Sequence, residues 1–332
     1  MNKAIRIRQH GGPDELELVN FELPVPAPDE VRVRHTAIGV NFSDVNVRRG
    51  GFYPNHNPSF PLGIGNEAAG IVEIVGSSVA DSKPGDRVAY AGMRGQFYDD
   101  TGAYAEERNV PADRLITVPS GVSDQQAAAM LMKGCTASLI INGVYEPGPD
   151  DIILIHTAAA GVGSLLVQWS KHLGATVIGT VGSSKKAETA KRLGCDHVVL
   201  YRETDFVSEV RRIAPRGLTA VFDGVGKDTF IPSLPLLRQF GRAVNYGNAS
   251  GNVPPFNVML LAQKSLSVTR VGVTGHIQDT ASFRSVAATL FELVRTGTIK
   301  VNIDCTYPLA EARQAHTDLE SGKFSGSVLL LP

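Results

Sequence analysis

Sulfur is scarce in this chain. Only three cysteines, Cys135, Cys195 and Cys305, occur in 332 residues, and they lie more than 50 residues apart. They supply neither a disulfide framework nor a sulfur-ligand cluster, so three reduced thiols are expected. Excess charge of either sign is also missing: 32 Lys and Arg face 33 Asp and Glu, for a formal net charge of -1. Nucleic-acid binders carry a basic excess or stripe, or basic grooves with aromatic platforms, so nucleic acid is not an expected partner. No window approaches the 18 charge-free apolar residues of a membrane span. The residues Met1-Asn2-Lys3-Ala4 run straight into alternating, strand-like sequence with no apolar leader stretch. No membrane partner is expected, and elimination leaves a cytoplasmic location.

What the chain has is ordinary enzyme composition, 43% hydrophobic and 20% charged with 34 glycines, at a length that favours two domains. The first third reads as sheet and loop, with strands at Ala4 to Arg8, Val31 to Ala37, Ala69 to Val75 and Arg87 to Ala91. Pro24, Pro26 and Pro28 exclude an interior strand between the first two, because proline has no amide hydrogen to donate. A compact, antiparallel, partly barrel-like domain is expected. The pattern changes near Ser123, which can cap a helix from Asp124 to Met132 with Gln126 closing a capping box. Short apolar strands then alternate with helices: strands at Ile152 to Ile155, Thr176 to Ile178, Val198 to Leu200, Thr219 to Phe222 and Ala243 to Tyr246, and helices at Ser164 to Leu173, Lys185 to Leu193 and Phe206 to Ala214. That alternation predicts a parallel α/β sheet covered on both faces, with Leu266 to Val271 as its last or edge strand. A helix at Ser282 to Arg295, another at Ala310 to Leu319 and a strand at Ser327 to Leu331 should return to complete the first domain, with a ligand crevice between the two domains.

The turn Thr157-Ala158-Ala159-Ala160-Gly161-Val162-Gly163 sits between a strand and a helix. It resembles the dinucleotide-binding turn, in which small residues let backbone amides at a helix N-terminus approach a pyrophosphate. Ala158 stands where a first glycine is usual; Ala159, Gly161, Val162 and Gly163 remain the expected contacts. An acid at the end of the second strand would select NAD. Thr180-Val181-Gly182-Ser183-Ser184-Lys185-Lys186 stands there instead, with no carboxylate before Glu188. Gly182, Ser183, Lys185 and Lys186 therefore suit the 2'-phosphate of NADPH. Lysines are also poorly placed for the dipole of a helix N-terminus, which favours a phosphate partner. Tyr201, with Arg202 beside it, ends the third strand near the same phosphate. The loops Asp223-Gly224-Val225-Gly226 and Gly247-Asn248-Ala249-Ser250-Gly251 end two further strands, and Gly247 and Asn248 are cofactor candidates, with capping of its own turn the alternative for Asn248.

Asn41-Phe42-Ser43-Asp44, Gly51-Phe52-Tyr53-Pro54, Gly65-Asn66-Glu67-Ala68-Ala69-Gly70, Lys83-Pro84-Gly85-Asp86-Arg87-Val88, the 156 to 163 turn and Tyr246-Gly247-Asn248 together resemble the quinone oxidoreductases. These are the zeta-crystallin-like, zinc-free branch of the medium-chain dehydrogenase/reductase superfamily, and the resemblance spans essentially the whole chain. It implies a GroES-like, mainly β catalytic domain over 1-124 and 271-332, a Rossmann-type NADPH-binding domain over 125-270, and a homodimer. It also implies that Asn41, Asp44 and Tyr53 form the catalytic set and that Lys133 and Arg270 contact the cofactor. Loop capping is the alternative for Asn41 and Asp44. The family's C-terminal cofactor arginine is replaced by Gly322, which leaves the adjacent Lys323 as the candidate.

The zinc-dependent relatives would place cysteine at position 41 and histidine at position 66; here both are amides, which are poor zinc ligands. No metal is expected, and Glu67 reads as a loop-orienting residue. Without a Lewis acid the chemistry suits an acceptor that is already electron-poor, a quinone or an enone. Reduction of quinones by hydride from NADPH is the expected activity. Reduction of the double bond of 2-alkenals or enones is the alternative within enzymes, and NADPH-sensing or RNA-binding without catalysis is the alternative outside them.

Overall fold

The computed structural model of the chain describes residues 1–53, 56–96 and 98–332. In chain order the elements are β1 (Asn2–Ile7), β2 (Glu17–Phe21), β3 (Glu30–Val40), α1 (Phe42–Arg49), β4 (Leu62–Gly63), β5 (Glu67–Val75), β6 (Arg87–Ala91), β7 (Glu107–Pro111), β8 (Ile116–Thr117) and α2 (Asp124–Ser138). There follow β9 (Ile152–His156), α3 (Gly161–His172), β10 (Thr176–Val181), α4 (Ser184–Leu193), β11 (His197–Leu200), α5 (Phe206–Ile213), β12 (Leu218–Asp223), α6 (Phe230–Ser233), β13 (Leu237–Asn245) and β14 (Ser267–Arg270). The tail adds α7 (Thr274–Ile277), α8 (Thr280–Arg295), β15 (Ile303–Pro308), α9 (Ala312–Glu320) and β16 (Ser327–Leu331). The prolines between β2 and β3 stay outside the strands. The capping box at the start of α2 forms: Gln126 N donates to Ser123 Oγ at 3.1 Å and Ser123 N to Gln126 Oε1 at 2.9 Å.

The chain divides into two compact units, Met1–Cys135 with Thr274–Thr296 and Val301–Pro332, and Thr136–Val273 with Gly297–Lys300. The first boundary falls inside α2 rather than at residue 124. The early part of that helix is tied to the first unit's sheet, with Met132 N donating to Glu67 Oε2 at 2.7 Å and Ser327 Oγ to Ala129 O at 2.8 Å. The second lies after Val273 rather than after residue 270. Gly297–Lys300 belongs to the second unit because Gln168 of α3 grips Lys300 at both ends, Nε2 to its carbonyl at 3.2 Å and its N–H to Oε1 at 2.8 Å.

The first unit holds a seven-stranded sheet, ordered β15-β16-β3-β5-β6-β8 with β7 also on β3, and a three-stranded sheet, β2-β1-β4. All pairings are antiparallel except β15 with β16. Among the described residues one helical stretch, Asp124–Val144, has the length and composition to cross a membrane; it carries Lys133, and its most apolar 18-residue window is 72% buried, as an interior helix is.

The second unit is a six-stranded sheet ordered β11-β10-β9-β12-β13-β14, every pair parallel. This is the doubly wound order, and it brings the carboxyl ends of all six strands to one edge. Central β12 is buried at every residue, whereas β14 at the sheet's edge is not, as continuous apolar strands and edge strands should be.

Candidate active site

In the first unit the site residues converge on two buried carboxylates. Asn41 lies between β3 and α1 as the N-cap of the helix, and its N–H donates to Asp44 Oδ2 at 2.8 Å, which is the return bond of a capping box. Asp44 is fully buried; its Oδ2 also accepts from Tyr104 Oη at 3.0 Å and its Oδ1 from Asn66 Nδ2 at 2.7 Å. Burial pushes its carboxyl up to about 7, with the negative Glu67 adding to the push and the bonds from Asn41, Tyr104 and Asn66 opposing it. Tyr104 Oη is also 3.0 Å from His316 Nε2, and burial brings that histidine down to about 3, so it is neutral.

Glu67, the first residue of β5 and fully buried, holds the second group. Its Oε1 accepts from Asn41 Nδ2 at 2.7 Å and from Lys133 Nζ at 3.3 Å, and its Oε2 from Met132 N. Lys133 Nζ also reaches Val40 O at 3.5 Å. Gly39 makes room for this arrangement, since a Cβ there would lie 2.3 Å from Ala128 O and 2.5 Å from Glu67 Oε1. The structure thus brings Asn41, Asp44 and Lys133 together, and it shows Asn41 and Asp44 doing the work of a helix cap. Tyr104 and His316 escaped the sequence reading: Tyr104 and His316 are 212 positions apart, and no local pattern marks either.

Tyr53 stacks on Tyr98 with ring centroids 4.1 Å apart and planes at 13°, and His56 lies edge-on to both at 6.4 and 5.4 Å. Pro54, which belongs to the same sequence segment, lies outside the described residues.

In the second unit the dinucleotide-type turn follows β9. Gly161 adopts a left-handed φ of +51° with open space beside its Cα, while a Cβ on Gly163 would lie 2.3 Å from Thr157 O. Ala158, at the position of the missing first glycine, is accommodated because Gly179 of β10 faces it; a Cβ on Gly179 would meet the Ala158 methyl at 2.6 Å. Helix α3 begins at Gly161 with no side chain capping it, which leaves its first amides for a ligand.

At the end of β10, Ser183 caps α4, accepting from Lys186 N at 3.4 Å, and Lys185 is exposed on the first turn. Gly182 lies under Tyr201 and Arg202: a Cβ would stand 2.7 Å from the Tyr201 hydroxyl and 3.4 Å from Arg202 Nε. After β12, Asp223 Oδ1 accepts from the amides of Val225 and Gly226 at 2.6 and 3.1 Å, and its carboxyl is raised by burial against those bonds. The loop after β13 packs on it, since a Cβ on Gly247 would lie 2.4 Å from Gly224 O. Arg270, ending β14, donates from Nη1 to Asn245 Oδ1 at 2.8 Å and Gly247 O at 3.5 Å, and Asn248 bonds Asn252. Asn245, Asn248, Asn252 and Arg270, with Phe230 and Phe256, line a cleft of about 270 Å³. Lys323, in the first unit, has its ammonium on Asp318 Oδ2 at 2.7 Å.

Two family models match the chain, an alcohol dehydrogenase GroES-like domain over residues 27–120 and a zinc-binding dehydrogenase over residues 161–292. Quinone oxidoreductase 1 of Escherichia coli is 42% identical, with all of both chains covered. The 2-haloacrylate reductase of a Burkholderia species is 39% identical, covering 100% of this chain and 99% of that one. The crystal structure of the Escherichia coli quinone oxidoreductase complexed with NADPH matches with a TM-score of 0.92 at 41% identity, covering 99% and 100% of the two chains.

The zinc in the second model's description does not fit these residues. Asn41 and Asn66 offer amides, both already bonded to carboxylates, and Glu67 is neutralised by Lys133. Burial raises the Cys135 thiol and brings Cys195 up to about 12, which disfavours the thiolates zinc needs. Among the described residues no group of three or more His, Cys, Asp and Glu is placed to hold an ion. Likeness over the full length, the doubly wound sheet with its glycine turn and the amide pair at positions 41 and 66 together place the chain in the quinone oxidoreductase family of the medium-chain dehydrogenase/reductase superfamily.

Proposed function

We propose that the chain reduces quinones with NADPH, without a metal. The observation that carries this reading is the turn after β9: an uncapped helix start at Gly161, open space beside it and a second strand that ends in Gly182 and Ser183 rather than an acid. The likeness to the NADPH-complexed Escherichia coli enzyme supports it. Bound NADPH supplies the hydride, and the chain's residues bind, orient and shield. Ala159, Gly161, Val162 and Gly163 offer small contacts and amides to the pyrophosphate. The Ser183 hydroxyl, Lys185, Lys186, Tyr201 and Arg202 receive the 2'-phosphate, and Gly182 lets it approach. Gly247, Asn248, Arg270 and Lys133 orient the nicotinamide end, with Glu67 holding Lys133 in place. Tyr53 donates a hydrogen bond to the acceptor oxygen. Asn41 and Asp44 set the pocket wall through the helix start they cap. Lys323, exposed and paired with Asp318, is the candidate for the contact that the family's C-terminal arginine makes.

The partner is thus a small molecule and a second copy of the chain, in a cytoplasmic homodimer. Edge strand β14 supports the dimer, together with Val258, Met259 and Leu260 just before it in sequence, which are 68, 67 and 54% exposed. The 2-haloacrylate reductase relative supports a second reading, reduction of an activated carbon–carbon double bond by the same residues. NADPH oxidation with 1,4-benzoquinone, with 2-alkenals and with 2-haloacrylates, with and without a strong chelator, separates the two. Turnover of alkenes with none of any quinone overturns the first reading, and activity lost to the chelator and restored by zinc overturns both.

A further inference from the structure

Thr157, in the turn after β9, has a backbone conformation that its residue type resists. Its φ is +56°, in the left-handed region, where a β-branched residue persists only if its surroundings hold it. The turn needs this conformation. It reverses the chain so that Ala158 N donates back to Thr180 O of β10 at 3.2 Å and Ala160 N donates to Thr157 O at 3.1 Å. The same Thr157 carbonyl is the atom on which Gly163 packs, so it carries the start of α3 with it. A glycine would reach this φ freely; what threonine adds is a hydroxyl.

Thr157 Oγ1 donates to His156 O at 2.7 Å and is also bonded to the hydroxyl of Tyr246, which lies 3.5 Å from His156 O. With its own hydrogen committed to His156 O, Thr157 Oγ1 is the acceptor and Tyr246 the donor. Burial holds the Tyr246 phenol above its ordinary range, so the donor keeps its proton. Tyr246 follows β13, and its N donates to Asp223 O at 2.9 Å. Its ring packs on Gly224 after β12, where a Cβ would lie 2.6 Å from a ring carbon and 2.9 Å from the hydroxyl. One side chain thus ties together the ends of β9, β12 and β13, all within the second unit.

We infer that Thr157 and Tyr246 are positioning residues for the cofactor's pyrophosphate: Tyr246, fixed by the ends of β12 and β13, latches Thr157 in its left-handed conformation and keeps the first amides of α3 aimed at the phosphates. The pair acts through the backbone and does not touch the cofactor. The inference deepens the NADPH reading and rests on it. A turn set in advance spares binding the entropy of ordering it. Without the latch the left-handed φ has nothing to offset its cost, and the turn relaxes away from the form that receives the phosphates. The 2'-phosphate is received at the end of β10, so a ligand without a pyrophosphate should not sense the latch.

The test is calorimetric titration of the full chain with NADPH, with 2'-phospho-ADP-ribose, which keeps the pyrophosphate, and with adenosine 2'-monophosphate, which lacks it. Tyr246→Phe and Thr157→Val should each weaken the first two about tenfold, the worth of one hydrogen bond, and leave the third at wild-type affinity. Thr157→Ser, which keeps the hydroxyl, should bind all three as wild type does. The double variant should lose no more than either single one, because both remove the same bond. Equal weakening of all three ligands would mean a general structural role, and a loss of about a hundredfold in the double variant would mean two independent contacts that add. Loss in Thr157→Val with none in Tyr246→Phe would mean that the Thr157 hydroxyl meets the phosphate itself. Each of these overturns the proposal. Should Thr157→Val fail to fold, wild-type affinities in Tyr246→Phe overturn it as well. A wild type that binds NADPH and 2'-phospho-ADP-ribose no better than the variants do sinks the latch alone, whereas a wild type that binds neither sinks the NADPH reading with it.

Discussion

Gly161 and Gly163 stand in one turn for different physical reasons, and alanine at each should separate them. At Gly163 an added Cβ lies 2.3 Å from Thr157 O, 2.9 Å from Thr157 C and 3.3 Å from His156 O, all main chain. No rotamer relieves contact with a backbone, so Gly163→Ala must push the start of α3 away from the end of β9. Overpacking of that kind costs up to about 3 kcal/mol. At Gly161 nothing lies within 4 Å of the added Cβ, and the difficulty is the φ of +51°. A left-handed alanine costs about 1–2 kcal/mol, offset by about 0.4–1 kcal/mol from the stiffer unfolded chain. Gly161→Ala should therefore keep a thermal midpoint close to wild type. Its methyl group projects into the open space where the pyrophosphate would lie, so NADPH affinity should fall at least about tenfold, or about 1.4 kcal/mol. Gly163→Ala should lose both stability and binding. Thermal unfolding without ligand and NADPH titration followed by Trp169, the single tryptophan and a residue of α3, measure the two effects. Wild-type affinity in Gly161→Ala would refute the placement of the pyrophosphate, and wild-type stability in Gly163→Ala would refute the tight backbone contact.

Four further outcomes follow from the same geometry. Lys186→Glu should weaken NADPH by about 1.5–3 kcal/mol, as for a hydrogen bond to a charged group, and leave NADH unchanged; equal loss of both cofactors in fluorescence titrations would rule out 2'-phosphate recognition. Tyr53→Phe should lower quinone turnover by about 1 kcal/mol, one hydrogen bond, and steady-state kinetics showing complete loss would make the hydroxyl essential instead of positioning. Asp44 has a folded pKa of about 7 against an ordinary 3.8, so its contribution to stability is complete below 3.8, declines as pH rises and is gone above 7. The decline amounts to about 4 kcal/mol at 1.36 kcal/mol per unit; denaturant unfolding from pH 4 to 8 should show it in wild type and not in Asp44→Asn, and parallel curves for the two would refute it. Sedimentation at micromolar concentration should give a dimer, and Val258→Asp with Met259→Lys should give a monomer if the β14 edge is the contact.

Elements set by local chemistry were legible in the chain itself. Strands β9 and β10 with the glycine turn between them depend on contiguous apolar residues and on glycines that a nearby backbone demands, and the capping box of Ser123 and Gln126 lies within four residues. The absence of an acid after β10 is equally local, and it bears on the choice of cofactor. Other features were beyond sequence reading because their partners are distant. Helix α1 has a weak apolar pattern and is anchored by Asp44, whose carboxylate is held by Tyr104 and Asn66, 60 and 22 positions away. The boundary between the units fell inside α2 because Glu67 accepts from the Met132 amide and Ser327 donates to the Ala129 carbonyl in the helix's early part, and nothing in the helix's own residues marks that point. The sequence alone determined the alternation of strands and helices from β9 to β12, the glycine turn and the amides at positions 41 and 66, since periodicity, turn chemistry and donor type are properties of neighbouring residues. Only the tertiary structure decided that Asn41, Asn66 and Lys133 share the two buried carboxylates of Asp44 and Glu67, because desolvation and hydrogen-bond direction exist only once distant segments have packed together.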